Sequence, residues 1–138
     1  MGHRRQSREC ALQLLYQIDV GGSPISDTIS DYWEAHAVPS EVSTFADELV
    51  RGTCAQHAII DEAIAKHSAN WRLPRMAAVD RNILRMAVYE LYHCPDIPVR
   101  VTLNEAIEIG KKFGTEESGA FINGILDQVA KELNKPME

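Results

Sequence analysis

The sequence has no long hydrophobic run and few cysteines, and both absences restrict the class of protein. No stretch reaches the roughly 18 apolar residues that a transmembrane helix requires, so we expect no membrane span. The basic N-terminus precedes ALQLLYQID, which is too short and too polar for a signal-peptide core. Cys10, Cys54 and Cys94 are odd in number and far apart, which predicts reduced thiols and a cytoplasmic location.

Motifs of catalysis and cofactor binding are also missing. The chain has no glycine-rich phosphate loop and no G-x-S-x-G turn. Cys54 and His57 have the spacing of metal ligands, but no second pair completes a structural zinc site. Glu90 and His93 form only half of a di-iron motif, and a glutamate at the edge of the core explains them better. We therefore predict a protein that is not an enzyme, without catalytic residues, cofactor or metal.

Basic residues are scarce except at the start of the chain. The 138 residues carry 20 acidic and 14 basic side chains, for a net charge of −6. Arg4, Arg5 and Arg8 nevertheless lie within the first ten residues. The overall charge argues against broad coating of nucleic acid, and it leaves a local basic segment open. The length and the 45% hydrophobic content predict one soluble globular domain over residues 1–138.

The hydrophobic pattern has a helical period throughout, and no segment alternates strongly enough to be a strand. We predict an all-α bundle of about six to seven helices. Residues 76–93 are apolar almost all round, which is typical of a helix in the middle of a bundle. The predicted helical segments are 4–20, 25–37, 41–68, 76–93, 103–114 and 116–133.

Local signals predict how these helices begin and end. After the glycines that end the first helix, Ser23 is the predicted cap of the second, and Gly52 is the predicted break in the third. Thr102 and Glu105 have the T-x-x-E spacing of a capping box. For Glu108 we expect an ion pair with Lys112, four residues later.

The arginines adjoin the apolar stripe of the first predicted helix. Arg4 and Arg8 fall at the edge of that stripe, and Arg5 shares the adjoining flank with Tyr16. Guanidinium groups bind phosphate bidentately, and a tyrosine ring can stack on a base. This pattern favours a weak RNA binder that works with a partner. The alternative is that the arginines merely keep a frayed N-terminus in solution.

Four segments together resemble the NusB family of bacterial transcription antitermination factors. They are RRQSRECALQLLYQ, AAVDRNILRMAVYEL, DIPVRVTLNEAIEIGKKFG and ESGAFINGILDQVA. The resemblance covers essentially the whole chain, with the motifs in the family's order.

This resemblance implies a fold, a ligand and partners. The fold would be two packed three-helix halves joined through a long central helix. The protein would bind boxA RNA of leader and ribosomal RNA transcripts together with NusE, a small-subunit ribosomal protein. It would join the RNA polymerase antitermination complex. A homodimer that hides the RNA surface is described for some members, and the sequence leaves the oligomeric state open.

The resemblance also implies roles for individual residues. The residues that match RNA-side positions are Arg4, Arg5, Arg8, Tyr16, Glu117 and Phe121. Asp80 matches an acidic position that faces NusE. The sequence departs from the more basic family members at Gln6 and Ser7, which predicts low RNA affinity without the partner.

Two other functions remain open at this stage. One is a helical protein–protein module whose arginines are incidental. The other is an RNA-recognition domain related to those of RNA cytosine methyltransferases, although a chain of this length without a cofactor motif argues against it.

Overall fold

The computed structural model describes residues 2–68, 72–133 and 135, and in these residues it contains α-helices, one short 3-10 turn and no strand. Part of the predicted connector, residues 70–71, lies outside the described residues. No helix in the described ranges is long and apolar enough to cross a membrane. The helices are α1 (His3–Gly21), α2 (Ile25–Ala35), α3 (Ser40–Ala55), α4 (His57–Lys66), α5 (Ala78–His93), α6 (Val99–Phe113) and α7 (Ser118–Leu133), and the 3-10 turn is Leu73–Arg75.

Helix α5 lies at the centre of the bundle, as its pattern predicts. It packs against α1, α3, α4, α6 and α7. Ile83, Leu84 and Val88 are fully buried, and one hydrophobic core runs from α1 to α7. The all-α fold is therefore confirmed. The centrality of α5 fixes the site, because it brings the start of α1 beside the segment that follows α5.

Helix α1 is a single element that holds the arginines at its first turns. It ends where predicted, at Gly22, whose φ of 70° is left-handed and whose N–H donates to the Ile18 carbonyl at 3.2 Å. Glycine tolerates that conformation at little cost. The arginines therefore lie at the N-terminal end of α1, and Gly22 caps its C-terminal end.

The break in the third predicted helix is not at Gly52, so that prediction is wrong. α3 continues through Gly52 to Ala55, and the chain leaves helical geometry at Gln56, with φ of −106° and ψ of 17°. The ring of Tyr89 occupies the space where a Cβ of residue 52 would lie. The glycine therefore permits close approach of α3 and α5.

Two predicted helix caps are also wrong, and proline is the reason in both places. α2 begins at Ile25 directly after Pro24, and no side chain caps it, Ser23 included. α6 begins at Val99 after Pro98, so Thr102 lies inside the helix. Proline has the φ that a helix start requires. The T-x-x-E spacing of the predicted capping box is therefore internal to α6, and its two side chains are available for other contacts.

Candidate nucleic-acid interface

Arg4 is the most exposed of the three arginines at the start of α1. Half of its side chain is exposed, and Nη2 lies 3.4 Å from Oδ2 of Asp96, in the loop before α6. The guanidinium carbon lies 4.6 Å from the ring centroid of Phe45, a buried residue of α3. The ring supports the guanidinium from beneath by a cation–π contact, while its other face meets solvent. Arg4 is therefore held on the surface where the sequence predicts it.

Arg5 is fixed by a carboxylate from α6. Its Nε and Nη2 donate to the two oxygens of Glu105 at 2.8 and 2.7 Å. These hydrogen bonds hold the pKa of Glu105 below its ordinary value, and the same carboxylate raises the pKa of the Arg5 guanidinium. Glu105, predicted to be a capping residue, is in fact the partner of this cation. About a third of the Arg5 side chain stays exposed.

Arg8 is inside the protein, and its predicted position at the edge of the apolar stripe is wrong. The residue is 3% exposed. Its Nε and Nη2 donate to the carboxylate of Glu90 at 2.7 and 2.9 Å, and the Thr102 hydroxyl donates to the same carboxylate at 3.0 Å. Glu90 is 1% exposed, so it too lies deeper than the core edge where we predicted it. Side chains of α5 and α6 thus enclose the Arg8 guanidinium, which a single helical wheel does not reveal.

A cavity of about 290 Å³ lies between the first turn of α1 and the start of α6. Its wall combines guanidinium groups, carboxylates and the N-terminal end of α6, which carries the positive end of the helix dipole. Its lining residues are Gly2, Arg4, Arg5, Arg8, Asp96, Ile97, Pro98, Val101 and Glu105. Arginines around a helix start suit a phosphate group, which accepts hydrogen bonds on several oxygens.

A second cavity, of about 350 Å³, brings together residues for which the sequence predicts separate roles. Asp80 of α5, Glu117 before α7 and Phe121 of α7 line it, beside Met76 and Ala77. Oδ1 of Asp80 is buried, and within the described residues it has no hydrogen-bond partner. A buried carboxylate oxygen without a donor is costly, so this position suits a cation or an N–H group from another molecule.

Tyr16 and Phe121 present aromatic surface in different degrees. Tyr16 is 41% exposed on α1 and is not among the residues that line the two cavities. Phe121 is half-buried and packs against the core while it lines the second cavity. The structure thus groups Arg4 with Arg5, and Asp80 with Glu117 and Phe121.

Several neighbours of these residues were not predicted as pairs. Lys112 donates to Glu9 at 3.0 Å instead of to Glu108, which pairs with Lys111 at 3.5 Å. Ser7 is fully buried and donates to the Val42 carbonyl at 2.8 Å, so the absence of an arginine there removes no surface charge. The Lys112–Glu9 and Ser7–Val42 contacts join different helices, so a local spacing rule does not find them.

Two proteins of similar sequence carry the same name. A profile of the NusB family matches residues 5–131. The chain is 54% identical over 131 residues to the transcription antitermination protein NusB of Anaeromyxobacter dehalogenans (strain 2CP-1), which covers 94% of this chain and 92% of that protein. It is 47% identical over 140 residues to the protein of the same name from Myxococcus xanthus (strain DK1622), which covers 99% and 100%.

Solved structures of similar fold cover nearly the whole chain. The T. maritima NusB structure superposes with a TM-score of 0.85 at 38% identity, over 94% of this chain and 91% of that one. A chain from the crystal structure of antitermination factors NusB and NusE in complex with dsRNA superposes with a TM-score of 0.87 at 26% identity. That match covers 96% of this chain and 98% of the other.

Proposed function

The chain belongs to the NusB family, and we propose that it binds boxA RNA of leader and ribosomal RNA transcripts together with NusE, as a non-enzymatic adaptor of the RNA polymerase antitermination complex. The observation that carries the proposal is the pair of partly exposed arginines, Arg4 and Arg5, at one cavity of about 290 Å³. A similar chain occurs with NusE and double-stranded RNA.

The RNA surface of this proposal consists of Arg4, Arg5, Tyr16, Glu117 and Phe121. The two arginines would contact phosphates at the start of α1, because guanidinium groups bind phosphate oxygens in pairs. The exposed faces of Tyr16 and Phe121 would stack on unpaired bases.

Arg8 has a different part in the proposal. Its guanidinium is engaged with Glu90 in the core, so a phosphate could reach it only by breaking a buried ion pair. We assign Arg8 to holding the first turns of α1 against α5 and α6, and not to direct contact with RNA.

Asp80 supplies the proposed contact with NusE. It lies in the first turn of α5 beside the second cavity, and its buried Oδ1 has no donor among the described residues. A basic side chain of a ribosomal protein would complete that hydrogen bond.

A titration with defined RNA tests the RNA part of the proposal. We expect boxA-containing RNA to bind more tightly than a scrambled sequence, and more tightly still with NusE present. The double variant Arg4→Ala/Arg5→Ala should weaken binding and lower the salt slope by about 0.7 for each phosphate that the protein no longer neutralises. Arg51→Ala, which removes an exposed arginine from α3, is the matched control.

The titration also separates the proposed function from that of a protein–protein module. If the wild-type protein binds NusE normally but does not discriminate boxA RNA at any salt concentration, the chain is a protein–protein module. Unchanged RNA affinity in the double variant, with discrimination intact, would move the RNA surface away from the start of α1.

A further inference from the structure

Every arginine at the start of α1 already has an acidic partner from the segment that ends α5 and begins α6. Arg4 meets Asp96, Arg5 meets Glu105, and Arg8 meets Glu90. Glu105 also lies 3.8 Å from Nη1 of Arg8. The surface that should attract phosphate is therefore neutralised by the chain itself.

The three pairs differ in how easily an incoming anion could replace the acid. Arg8–Glu90 is buried and belongs to the core. In the Arg4–Asp96 pair, 51% and 69% of the two side chains are exposed, and the atoms are 3.4 Å apart, so water and salt weaken it. Arg5–Glu105 is intermediate, because two short hydrogen bonds hold a carboxylate that is 17% exposed.

A carboxylate that binds a guanidinium uses the same N–H donors that a phosphate needs. Arginine presents these donors as a planar fork, and it holds carboxylate and phosphate in the same geometry. Asp96 and Glu105 both line the cavity where Arg4 and Arg5 would meet RNA. A phosphate that enters this cavity must displace an acid from its arginine or share that arginine with the acid, next to a second negative charge.

We propose that Asp96 and Glu105 are built-in competitors of RNA. Asp96 pairs with Nη2 of Arg4, Glu105 occupies Nε and Nη2 of Arg5, and the two acids thereby set how tightly this surface binds phosphate. This inference rests on the proposed function. It assigns to both acids a role in restricting binding: RNA that offers only weak phosphate contacts does not displace them, whereas RNA held in place by NusE does.

Removal of each acid should then strengthen RNA binding. We expect Asp96→Asn to raise the affinity for boxA-containing RNA about two- to fivefold at about 0.1 M salt, the range set by exposed ion pairs. Glu105→Gln should raise it by about tenfold, since its charge is closer to the arginines and less screened. The gain should be larger without NusE than with it.

A general change in net charge must be distinguished from competition at the arginines. Asp31→Asn changes the charge by the same amount, and Asp31 is exposed on α2 without an ion pair among the described residues. The next residue, Tyr32, donates to Gln13, which is about 13 Å along α1 from Arg4 at the helical rise per residue. This distance exceeds the Debye length of about 10 Å at 0.1 M salt.

A double-mutant cycle tests the proposal directly. Binding of a fluorescent boxA-containing RNA is titrated for Asp96→Asn in the wild-type and Arg4→Ala backgrounds, and for Glu105→Gln in the wild-type and Arg5→Ala backgrounds. We expect each acid variant to gain less RNA affinity in the background that lacks its own arginine, because no guanidinium remains there to be released. Thermal unfolding of every variant checks that it is folded. Asp96→Asn should leave the melting temperature unchanged.

Each outcome bears on one claim. If the arginine variants weaken RNA binding but neither acid variant exceeds Asp31→Asn, the competition proposal is overturned while the RNA surface stands. Weaker binding by Glu105→Gln at unchanged stability would make Glu105 a positioning residue for Arg5 and also overturn the proposal. If Arg4→Ala and Arg5→Ala leave RNA affinity unchanged, the proposed RNA surface itself is wrong.

Discussion

Arg8 and Glu90 form a bidentate ion pair inside the core, with Nε–Oε2 and Nη2–Oε1 distances of 2.7 and 2.9 Å. Thr102 contributes a third hydrogen bond to the carboxylate, so the pair ties α1, α5 and α6 together. A charge of this kind is tolerated in a core only because each charged group has its partner. The start of α1 is therefore anchored to the centre of the bundle.

Removal of Arg8 should destabilise the protein severely. We expect Arg8→Ala to lower the free energy of unfolding by about 3–5 kcal/mol, because the carboxylate of Glu90 stays buried without its counter-ion. Arg4→Ala, whose ion pair is exposed, should cost less than about 1 kcal/mol. Urea denaturation of both variants provides the comparison, and a loss for Arg8→Ala as small as that for Arg4→Ala would contradict the anchoring role.

Acidification should remove the contribution of the Arg5–Glu105 pair to stability. The hydrogen bonds from Arg5 lower the pKa of Glu105 below its ordinary value of 4.5. A carboxyl group with a depressed pKa in the folded state stabilises the fold above its unfolded pKa, and this contribution is lost as the pH falls through the folded pKa. The stability difference between wild type and Glu105→Gln should thus be full at pH 7 and shrink below about pH 4.5.

Chemical denaturation across that pH range measures the difference directly. Arg5→Ala is the matched variant, because Glu105 then titrates without the hydrogen bonds from Arg5. The stability of Arg5→Ala relative to Glu105→Gln should change less with pH than the stability of wild type relative to Glu105→Gln. A wild-type advantage that stayed constant down to pH 3 would show that charge on Glu105 is irrelevant to stability.

Two glycines in helices should respond in opposite directions to the same substitution. Gly52→Ala forces a methyl group into the ring of Tyr89, and we expect a loss of about 1–3 kcal/mol in stability. Gly124 is exposed on α7, and a Cβ there would meet no atom within 4 Å. Gly124→Ala should therefore stabilise the protein by about 0.5–1 kcal/mol. The melting temperatures of the two variants test both expectations. A higher melting temperature for Gly52→Ala would contradict the close packing of α3 and α5.

The sequence predicts the elements of this fold better than it predicts their contacts. The position of α5 follows from its apolar circumference, and the end of α1 follows from its glycines. The partner of Arg8 does not follow, because it is 82 residues away on α5 and only the packing of the helices brings the two side chains together. Glu105 had a plausible local role in a capping box, and a helix that starts earlier, after Pro98, gives it another.

Asp80 should matter more for binding a partner than for folding. Asp80→Lys places a cation where we propose that NusE supplies one, and such like-charge contacts cost several kcal/mol in association, at least about tenfold in affinity. Stability should change by no more than about 1 kcal/mol, the size of a helix-dipole effect, because Oδ1 has no hydrogen bond within the described residues to lose. Calorimetry with NusE measures the affinity, with Asp27→Lys in the first turn of α2 as control. Normal affinity combined with a lowered melting temperature would favour an intramolecular role.

Glu117 lies at the start of α7 and also on the proposed RNA surface. Its neutralisation should therefore lower stability and raise RNA affinity. Its N–H and carboxylate both contact the Thr115 hydroxyl at 3.3 Å, directly before α7, where negative charge favours the helix. It also lines the second cavity with Phe121, on the proposed RNA side. Glu117→Gln should therefore lower stability by roughly 0.3–1 kcal/mol, and it should tighten RNA binding most clearly at low salt.

Phe121, which lines the same cavity as Glu117, provides a second test of this surface. If a base stacks on Phe121, Phe121→Ala should weaken RNA binding by roughly 1–3 kcal/mol, and Phe121→Tyr, which keeps an aromatic face, should restore most of the affinity. Phe121 also packs on the core, so Phe121→Ala costs stability whether or not RNA touches it. RNA affinity is therefore measured well below the melting temperature of each variant. An unchanged affinity for Glu117→Gln, together with a Phe121→Ala defect seen only in the melting temperature, would remove the start of α7 from the RNA surface.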